Sequence, residues 1–301
     1  LLDDGRITLK VIETTRQQVM TEVIEGGILS SKKGLNRKGG GLSAGALTDK
    51  DHEIMQALSQ VPVDYIALSF VKSEEDLHTA RQWMTTFGYK ARLIAKIERT
   101  EAIEDIEAII HACDAVMVAR GDLGVELGFA ELPGVQKDII RRAEQLNKLA
   151  ITATQMMESM IESTIPTRAE VSDVANAILD GTDAVMLSAE TAMGRHPDKV
   201  IKAMDEICIG AEKRRHAKRS HHRVHSYFGR DDEAIAMAAM YVANHLDVKA
   251  IVALTESGST ALWMSRIRSP IPIYALSRHP SACGRMTLFR GVYPVLFDAT
   301  Q

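Results

Sequence analysis

The stretch Ala115-Val116-Met117-Val118-Ala119-Arg120-Gly121-Asp122-Leu123-Gly124 decides the fold. Its first five residues are all apolar, and charge and glycine follow at once, the pattern of a short strand buried on both faces. Such strands belong to parallel sheets, whose connections are helices. Upstream the pattern repeats. Val63 to Phe70 is a short apolar run, and Ser73 then offers an N-cap with Glu74, Glu75 and Asp76 in the first turn of a helix ending near Gly88. Arg92 to Ile97 is the next strand, followed by Thr100 and the stripe Ile103, Ile106, Ile109 and Ile110. Downstream, a long loop leads to a helix opened by Pro133, and Leu149 to Thr154 is a strand. Thr167 and Glu170 form a capping box for a helix that Gly181 ends. Ala184 to Leu187 is the fifth strand, before a helix from about Pro197 to Arg214. Five strand–helix units cannot close an eight-stranded barrel, which leaves an open doubly wound sheet or a barrel whose first units are missing.

The flanks differ. Ile7 to Ile12 and Val19 to Ile24 alternate like half-buried strands, with Asp4-Gly5 and Gly26-Gly27 as turns, and a basic glycine-rich loop runs from Lys32 to Gly41. The cluster of Lys, Arg and His from Lys213 to His225 fits a solvated helix end and linker better than a nucleic-acid patch. Beyond it come a helix from Asp231 to His245, strands at Ala250–Leu254, Pro272–Leu276 and Val292–Phe297, and helices between them. Three parts are expected: 1–44, 45–214 and 215–301.

Composition narrows the function. Of 301 residues, 46% are hydrophobic and 25% charged, enough to build sizeable cores and to exclude disorder. The three cysteines are odd in number and hold no CxxC pair, which argues against a zinc site or disulfide framework and for a reducing compartment. A net charge of -4 gives no support for a nucleic-acid partner. The longest apolar run, Ala234 to Ala243, is too short to cross a bilayer, so no membrane role is expected. The chain opens on Leu1-Leu2-Asp3-Asp4-Gly5, with neither an initiator Met nor a targeting sequence.

In parallel α/β sheets and barrels, chemistry gathers beyond the carboxyl ends of the strands. Four consecutive strands end there in polar groups: Lys96-Ile97-Glu98, Ala119-Arg120-Gly121-Asp122, Thr152-Ala153-Thr154-Gln155 and Ser188-Ala189-Glu190-Thr191. Alternation turns Lys96 and Glu98 to one side. Each has a bland alternative: a strand-end ion pair for Lys96 and Glu98, a turn cap for Asp122, local backbone bonds for Thr154 and Ser188, an arginine partner for Glu190. Their recurrence in register favours one site. Glu98 and Asp122 are hard carboxylates suited to Mg²⁺, completed by water and substrate oxygens. Lys96 adds a second positive charge for a phosphoryl or enolate-type oxygen. Gly121 admits close approach of backbone N–H groups to an anion, and Thr154 adds a hydroxyl. Phosphoryl transfer and carbon–carbon cleavage both stay open on these residues alone.

At these positions the chain resembles the pyruvate kinase family of bacterial type. The resemblance rests on Ala95–Glu98, Met117–Gly124, Ala153–Met160, Pro166–Glu170 and Asp183–Thr191, in order along the chain. It implies an α/β fold: a partial (β/α)8 TIM barrel (strands 4–8) with the end of a β-rich lid domain and an incomplete C-terminal α/β domain. The chain is then expected to be an interior segment, about three-fifths of a longer protein. By the same resemblance, Lys96 would stabilise the phosphoryl group between phosphoenolpyruvate and ADP, and Glu98 and Asp122 would hold Mg²⁺ or Mn²⁺. Substrate would meet Gly121, Asp122, Thr154, Arg120 and Ala119, with Ser188 and Glu190 in support. Lys33 would approach the nucleotide phosphates of ADP or ATP. The loop Thr255, Glu256, Ser257, Gly258, Ser259 and Thr260, set before a helix N-terminus, resembles a loop for an effector phosphate. K⁺, with ligands outside this segment, a phosphorylated effector, a homotetramer and a cytoplasmic setting are further implications. A Mg²⁺-dependent barrel lyase acting on a pyruvate enolate and a non-catalytic fragment are the alternatives, and the segment alone is expected to be inactive.

Overall fold

A computed structural model describes residues 1–3, 5–31, 33–41, 45–214 and 227–298. Asp4 of the first turn, Lys32, most of the basic cluster and the chain's last three residues lie outside that set.

The chain begins with a hairpin of β1 (Thr8–Thr14) and β2 (Val19–Glu25), antiparallel, with a register shift between Val11 and Glu13. The expected half-buried alternation is not met. Every residue of β2 and most of β1 are exposed, so Val11, Ile12, Val19 and Ile24 face solvent.

A strand–helix series follows: α1 (Asp49–Ala57), β3 (Tyr65–Leu68), α2 (Glu74–Thr86), β4 (Arg92–Ile97), α3 (Glu101–Glu104), α4 (Ile106–Ala112) and β5 (Ala115–Ala119). The isoleucine stripe is therefore not one helix, because the backbone breaks at Asp105, whose φ of -106° and ψ of 20° leave the helical basin. Next come α5 (Arg120–Leu127), α6 (Leu132–Gln145), β6 (Leu149–Ala153), a 3₁₀ turn at Glu158–Ile161, α7 (Arg168–Asp180), β7 (Ala184–Met186), α8 (Ala189–Ala192) and α9 (Pro197–Glu212). The segment after β5, expected as a long loop, is the helix α5. The capping box of α7 is present, with the Glu170 N–H donating to Thr167 Oγ1 at 3.2 Å and the Thr167 N–H to Glu170 Oε2 at 2.7 Å. Gly181 ends that helix in the left-handed conformation, φ 107°.

Strands β3 to β7 form one parallel sheet in strict chain order. Each strand pairs with the next, with no reversal of direction of travel, so the sheet has no switch point of the doubly wound kind. One face, with Leu93, Ala95, Ile97, Val116 and Val118, packs against Leu77, Ile109, Ile139 and Ile140 of the helices. The other face, with Ile94, Met117, Ile151 and Ala153, joins a second cluster.

That cluster is shared with the C-terminal unit, built of α10 (Asp231–His245), β8 (Ile251–Leu254), α11 (Ser259–Ser265), β9 (Ile273–Ser277), α12 (Pro280–Met286) and β10 (Val292–Leu296). Its three strands are parallel in the order β10-β9-β8. Arginines of this unit fasten it to the turn between α7 and β7. Arg266 forms an ion pair with Asp183 in which the two side chains are only 3% and 2% exposed. Arg266 also donates to the Lys148 carbonyl at 2.8 Å. Arg268 donates to the carbonyls of Leu179 and Asp180 at 3.0 and 2.8 Å, and Arg290 to that of Ile178 at 2.8 Å.

Candidate active site

The carboxyl ends of β3 to β7 bring most of the sequence-selected residues to one end of the sheet. Lys96 sits on β4 on the face opposite Ile97, and its Nζ donates to Ser69 Oγ at 2.8 Å, just past β3. Its ammonium pairs with Glu98 Oε1 at 2.7 Å. Glu98 is almost wholly buried, and its Oε2 accepts the Phe70 N–H at 2.6 Å. The ion pair that was the bland reading for these two residues therefore exists, but at the mouth of the site and not on an outer surface.

The ends of β5 and β6 are knotted together. The Gly121 N–H donates to Thr154 Oγ1 at 2.8 Å, and that hydroxyl donates to the Ala153 carbonyl at 2.7 Å. Thr154 and Gln155 have φ of 67° and 51°, the left-handed region that a β-branched residue rarely enters. Arg120 supports this turn. Its guanidinium donates to the carbonyls of Thr154 at 2.9 Å and Gln155 at 3.0 Å, and pairs with Asp173 of α7 at 2.6 Å. Being buried and occupied in this way, Arg120 braces the turn from behind. Ala119 is buried as the last residue of β5.

Asp122 lies in the first turn of α5, where the N-terminal dipole favours a carboxylate. Its Oδ1 accepts from Asn36 Nδ2 at 3.3 Å. Asn36 is buried and was not singled out from the sequence. One turn on, burial pushes the Glu126 carboxyl above its ordinary value, with the charges of Glu101 and Asp122 acting in the same sense against the Thr100 N–H it accepts.

Glu190 ties the remaining strand ends together. It is buried and accepts the Met157 N–H at 3.1 Å and the Ser188 N–H at 2.8 Å. Ser188 caps the short helix α8, its carbonyl accepting from the Ala192 N–H at 3.0 Å. Gly194 closes that turn, and a methyl group there would run into the Glu190 carbonyl.

Lys33 is about 40% exposed and pairs with Asp3 at 2.7 Å, which holds the Asp3 carboxyl below its ordinary range. It reaches the site only indirectly, because its loop continues to Asn36. The Thr255–Thr260 loop lies elsewhere, on the C-terminal unit. There the Gly258 N–H donates to Thr255 Oγ1 at 3.0 Å, Ser257 and Ser259 hydroxyls meet at 2.8 Å, and Glu256 pairs with His279 and Arg278 at 2.6 and 3.1 Å.

The donor set fits a hard divalent cation. Among the described residues no trio of His, Cys, Asp and Glu is gathered for an all-protein metal cage. A carboxylate has about four lone-pair sites. Glu98, engaged by one ammonium and one amide, and Asp122, engaged by one amide, both retain acceptor capacity. Two oxygen donors with neither thiolate nor imidazole suit Mg²⁺ or Mn²⁺.

Comparison with known proteins gives the same direction. Residues 1–201 match the family model described as pyruvate kinase, barrel domain, and residues 233–301 match that described as pyruvate kinase, alpha/beta domain. The pyruvate kinase of Buchnera aphidicola from Baizongia pistaciae is 55% identical over 305 residues, covering 100% of this chain and 64% of the relative. Pyruvate kinase II of Salmonella typhimurium is 56% identical over 303 residues, 99% of this chain and 63% of the relative. That of Thermotoga maritima is 43% identical, again over 99% of this chain and 63% of the relative. The chain thus spans a little under two thirds of the length of these curated relatives.

Proposed function

Because this chain belongs to the pyruvate kinase family, we propose that the protein it represents transfers a phosphoryl group from phosphoenolpyruvate to ADP, giving pyruvate and ATP. The observation that carries this reading is the gathering of Lys96, Glu98, Gly121, Asp122 and Thr154 on three adjacent strand ends. Lys96 would face the phosphoryl group in flight, and Glu98 and Asp122 would hold the divalent cation, which when bound supplies neutralising charge to phosphoryl oxygens. The Gly121–Thr154 knot would receive the substrate, with Arg120, Ser188 and Glu190 fixing the loops around it. Lys33 would swing from Asp3 to the nucleotide phosphates.

In this reading the five-stranded sheet is strands four to eight of a (β/α)8 barrel, residues 1–44 are the end of a lid, and 215–301 belong to a C-terminal domain carrying the effector loop at Thr255–Thr260. A K⁺ site outside residues 1–301, a homotetramer, a cytoplasmic setting and a phosphorylated effector complete it. No helix among the described residues is long and apolar enough to cross a membrane.

The test uses the full-length protein with Mg²⁺ and K⁺. Lys96→Met is expected to abolish ADP-dependent pyruvate formation while phosphoenolpyruvate binding, read by calorimetry, persists; wild-type turnover would remove Lys96 from the mechanism. Glu98→Gln is expected to raise the Mg²⁺ requirement sharply, and an unchanged metal titration would sink the ligand assignment. Pyruvate formation that ignores ADP would favour a lyase. The 301-residue chain alone is expected to be inactive, and robust turnover by it would overturn the claim that essential groups lie outside.

A further inference from the structure

The loop that returns from the hairpin reads Lys33-Gly34-Leu35-Asn36-Arg37-Lys38-Gly39-Gly40-Gly41. Its backbone is tied down on both sides. The Asn36 N–H donates to the Leu1 carbonyl at 2.9 Å, the Gly39 N–H to the Glu126 carbonyl at 3.0 Å, and the Gly41 N–H to Glu101 Oε1 at 2.6 Å. The fit is close at Gly40, whose φ is 73° and where a Cβ would meet the Glu101 carboxylate at 2.8 Å. Glu126 completes the circuit, its carboxylate accepting the Thr100 N–H at 3.1 Å. The loop thus bridges α3, which begins just past Glu98, and α5, which carries Asp122.

The side chains of this loop divide by charge. Lys33 pairs with Asp3 at 2.7 Å, and Arg37 Nη1 donates to the Gly41 carbonyl at 3.4 Å. What the loop turns toward Asp122 is a neutral amide: Asn36, only 7% exposed, donates from Nδ2 to Asp122 Oδ1 at 3.3 Å. That distance is at the long end for such a bond, so its value lies in direction more than in energy. An amide donates without carrying charge. It can orient a carboxylate and leave its negative charge for a divalent cation, whereas a lysine or arginine in the same place would neutralise it. Held at Oδ1, the Asp122 carboxylate keeps lone pairs to offer a metal.

We propose that Asn36 is a positioning residue of the metal site, its amide setting the direction in which Asp122 presents its carboxylate to the divalent cation. The inference rests on the reading of Glu98 and Asp122 as ligands of Mg²⁺ or Mn²⁺, and extends it to a side chain 86 residues away in the chain. Partners that orient a ligating carboxylate without touching the metal tune its affinity strongly.

The test titrates Mn²⁺ alone, without substrate, into the full-length protein and reads free Mn²⁺ by electron paramagnetic resonance. Asn36→Leu keeps the bulk of the side chain and removes the donor. Asn36→Ala removes both, and serves if circular dichroism shows the leucine variant unfolded. Each is expected to raise the Mn²⁺ Kd about tenfold, the low end for loss of a partner that orients a metal ligand. Asp122→Asn should raise it at least as far. Glu101→Leu cuts the other side-chain tie of the loop and spares the Asp122 bond, so it should weaken Mn²⁺ far less. In turnover, Asn36→Leu should raise the Mg²⁺ requirement by a factor similar to its Mn²⁺ effect, while kcat at saturating Mg²⁺ falls less. A general collapse of the site would lower kcat at every Mg²⁺ concentration, and that result would overturn the positioning role. If Asp122→Asn weakens Mn²⁺ but the folded Asn36 variants bind it as the parent does, the ligand reading stands and the inference about Asn36 fails. Equal weakening by Glu101→Leu and Asn36→Leu would assign the effect to docking of the whole loop, and overturn it too. An unchanged midpoint in Asp122→Asn would remove the ligand assignment, and this inference with it.

Discussion

Replacing Arg266 by methionine tests how the two α/β units are held together. The Arg266 and Asp183 side chains are 3% and 2% exposed, so the surface regime, in which an ion pair contributes about 0–1 kcal/mol, does not apply. Removing one partner of a buried pair leaves an uncompensated charge and costs about 3–5 kcal/mol. Among the described residues Asp183 would then keep two amide donors, Ala150 N–H at 2.9 Å and Arg290 N–H at 3.4 Å, and the Lys148 carbonyl would lose its guanidinium partner. Those residual donors set the expectation for Arg266→Met at the lower end, about 3 kcal/mol. Urea unfolding of the 301-residue chain, followed by far-UV circular dichroism, measures it. The double variant Arg266→Met with Asp183→Leu removes the orphaned charge and should recover part of the loss, since an apolar replacement of both partners is often near neutral. Should Arg266→Met unfold within about 0.5 kcal/mol of the parent, or the double variant be no more stable than the single, the pair is not a buried strut.

Three further outcomes follow from groups described or buried in the same core. Burial opposes ionisation of Asp114, but the Leu93 N–H with Arg81 and Arg92 outweighs it and holds the carboxyl below its ordinary 3.8. A depressed folded-state value stabilises above the unfolded value and is lost as pH falls through the folded one, so Asp114→Asn should flatten the acid limb of stability below about pH 4. Burial pushes the thiols of Cys113 and Cys208 up to about 11, and Cys283 is raised as well. Native protein at pH 8 should therefore react with a disulfide reagent far more slowly than the three thiols released in guanidinium, and prompt native labelling of Cys113 would contradict its burial. Gly194→Ala places a methyl on the Glu190 carbonyl, and should cost about 1–3 kcal/mol and disturb Ser188, seen as a lowered urea midpoint together with reduced turnover of the full-length protein.

Much of this arrangement was legible because it is local. Alternation put Lys96 opposite Ile97, and the strand Arg92–Ile97 has the expected limits. The Thr167–Glu170 box and Gly181 bracket α7 as their side-chain chemistry requires. The helix at Arg120–Leu127 escaped notice because Gly121 and Gly124 are poor helix formers, and only tertiary contact reveals their use. A side chain at Gly124 would press on Phe129 and Leu132. Asn36 and Asp173 were missed for another reason. Their partners Asp122 and Arg120 lie 86 and 53 residues away, and no local pattern encodes such a pairing. The hairpin failed in the opposite sense: its alternation is real, but beyond Thr8 and Leu9 both of its faces stand exposed among the described residues.

The left-handed turn at Thr154 and Gln155 carries a consequence for how this protein can change. Each residue held there costs about 1–2 kcal/mol against a glycine, which enters that region freely. Arg120 and the Gly121 N–H hold the turn in place, and the Thr154 hydroxyl is the part that glycine cannot replace. A selection for heat resistance alone would therefore drift toward glycine at 154 and 155, and the sturdier protein that resulted would have lost its grip on the turn beside Gly121.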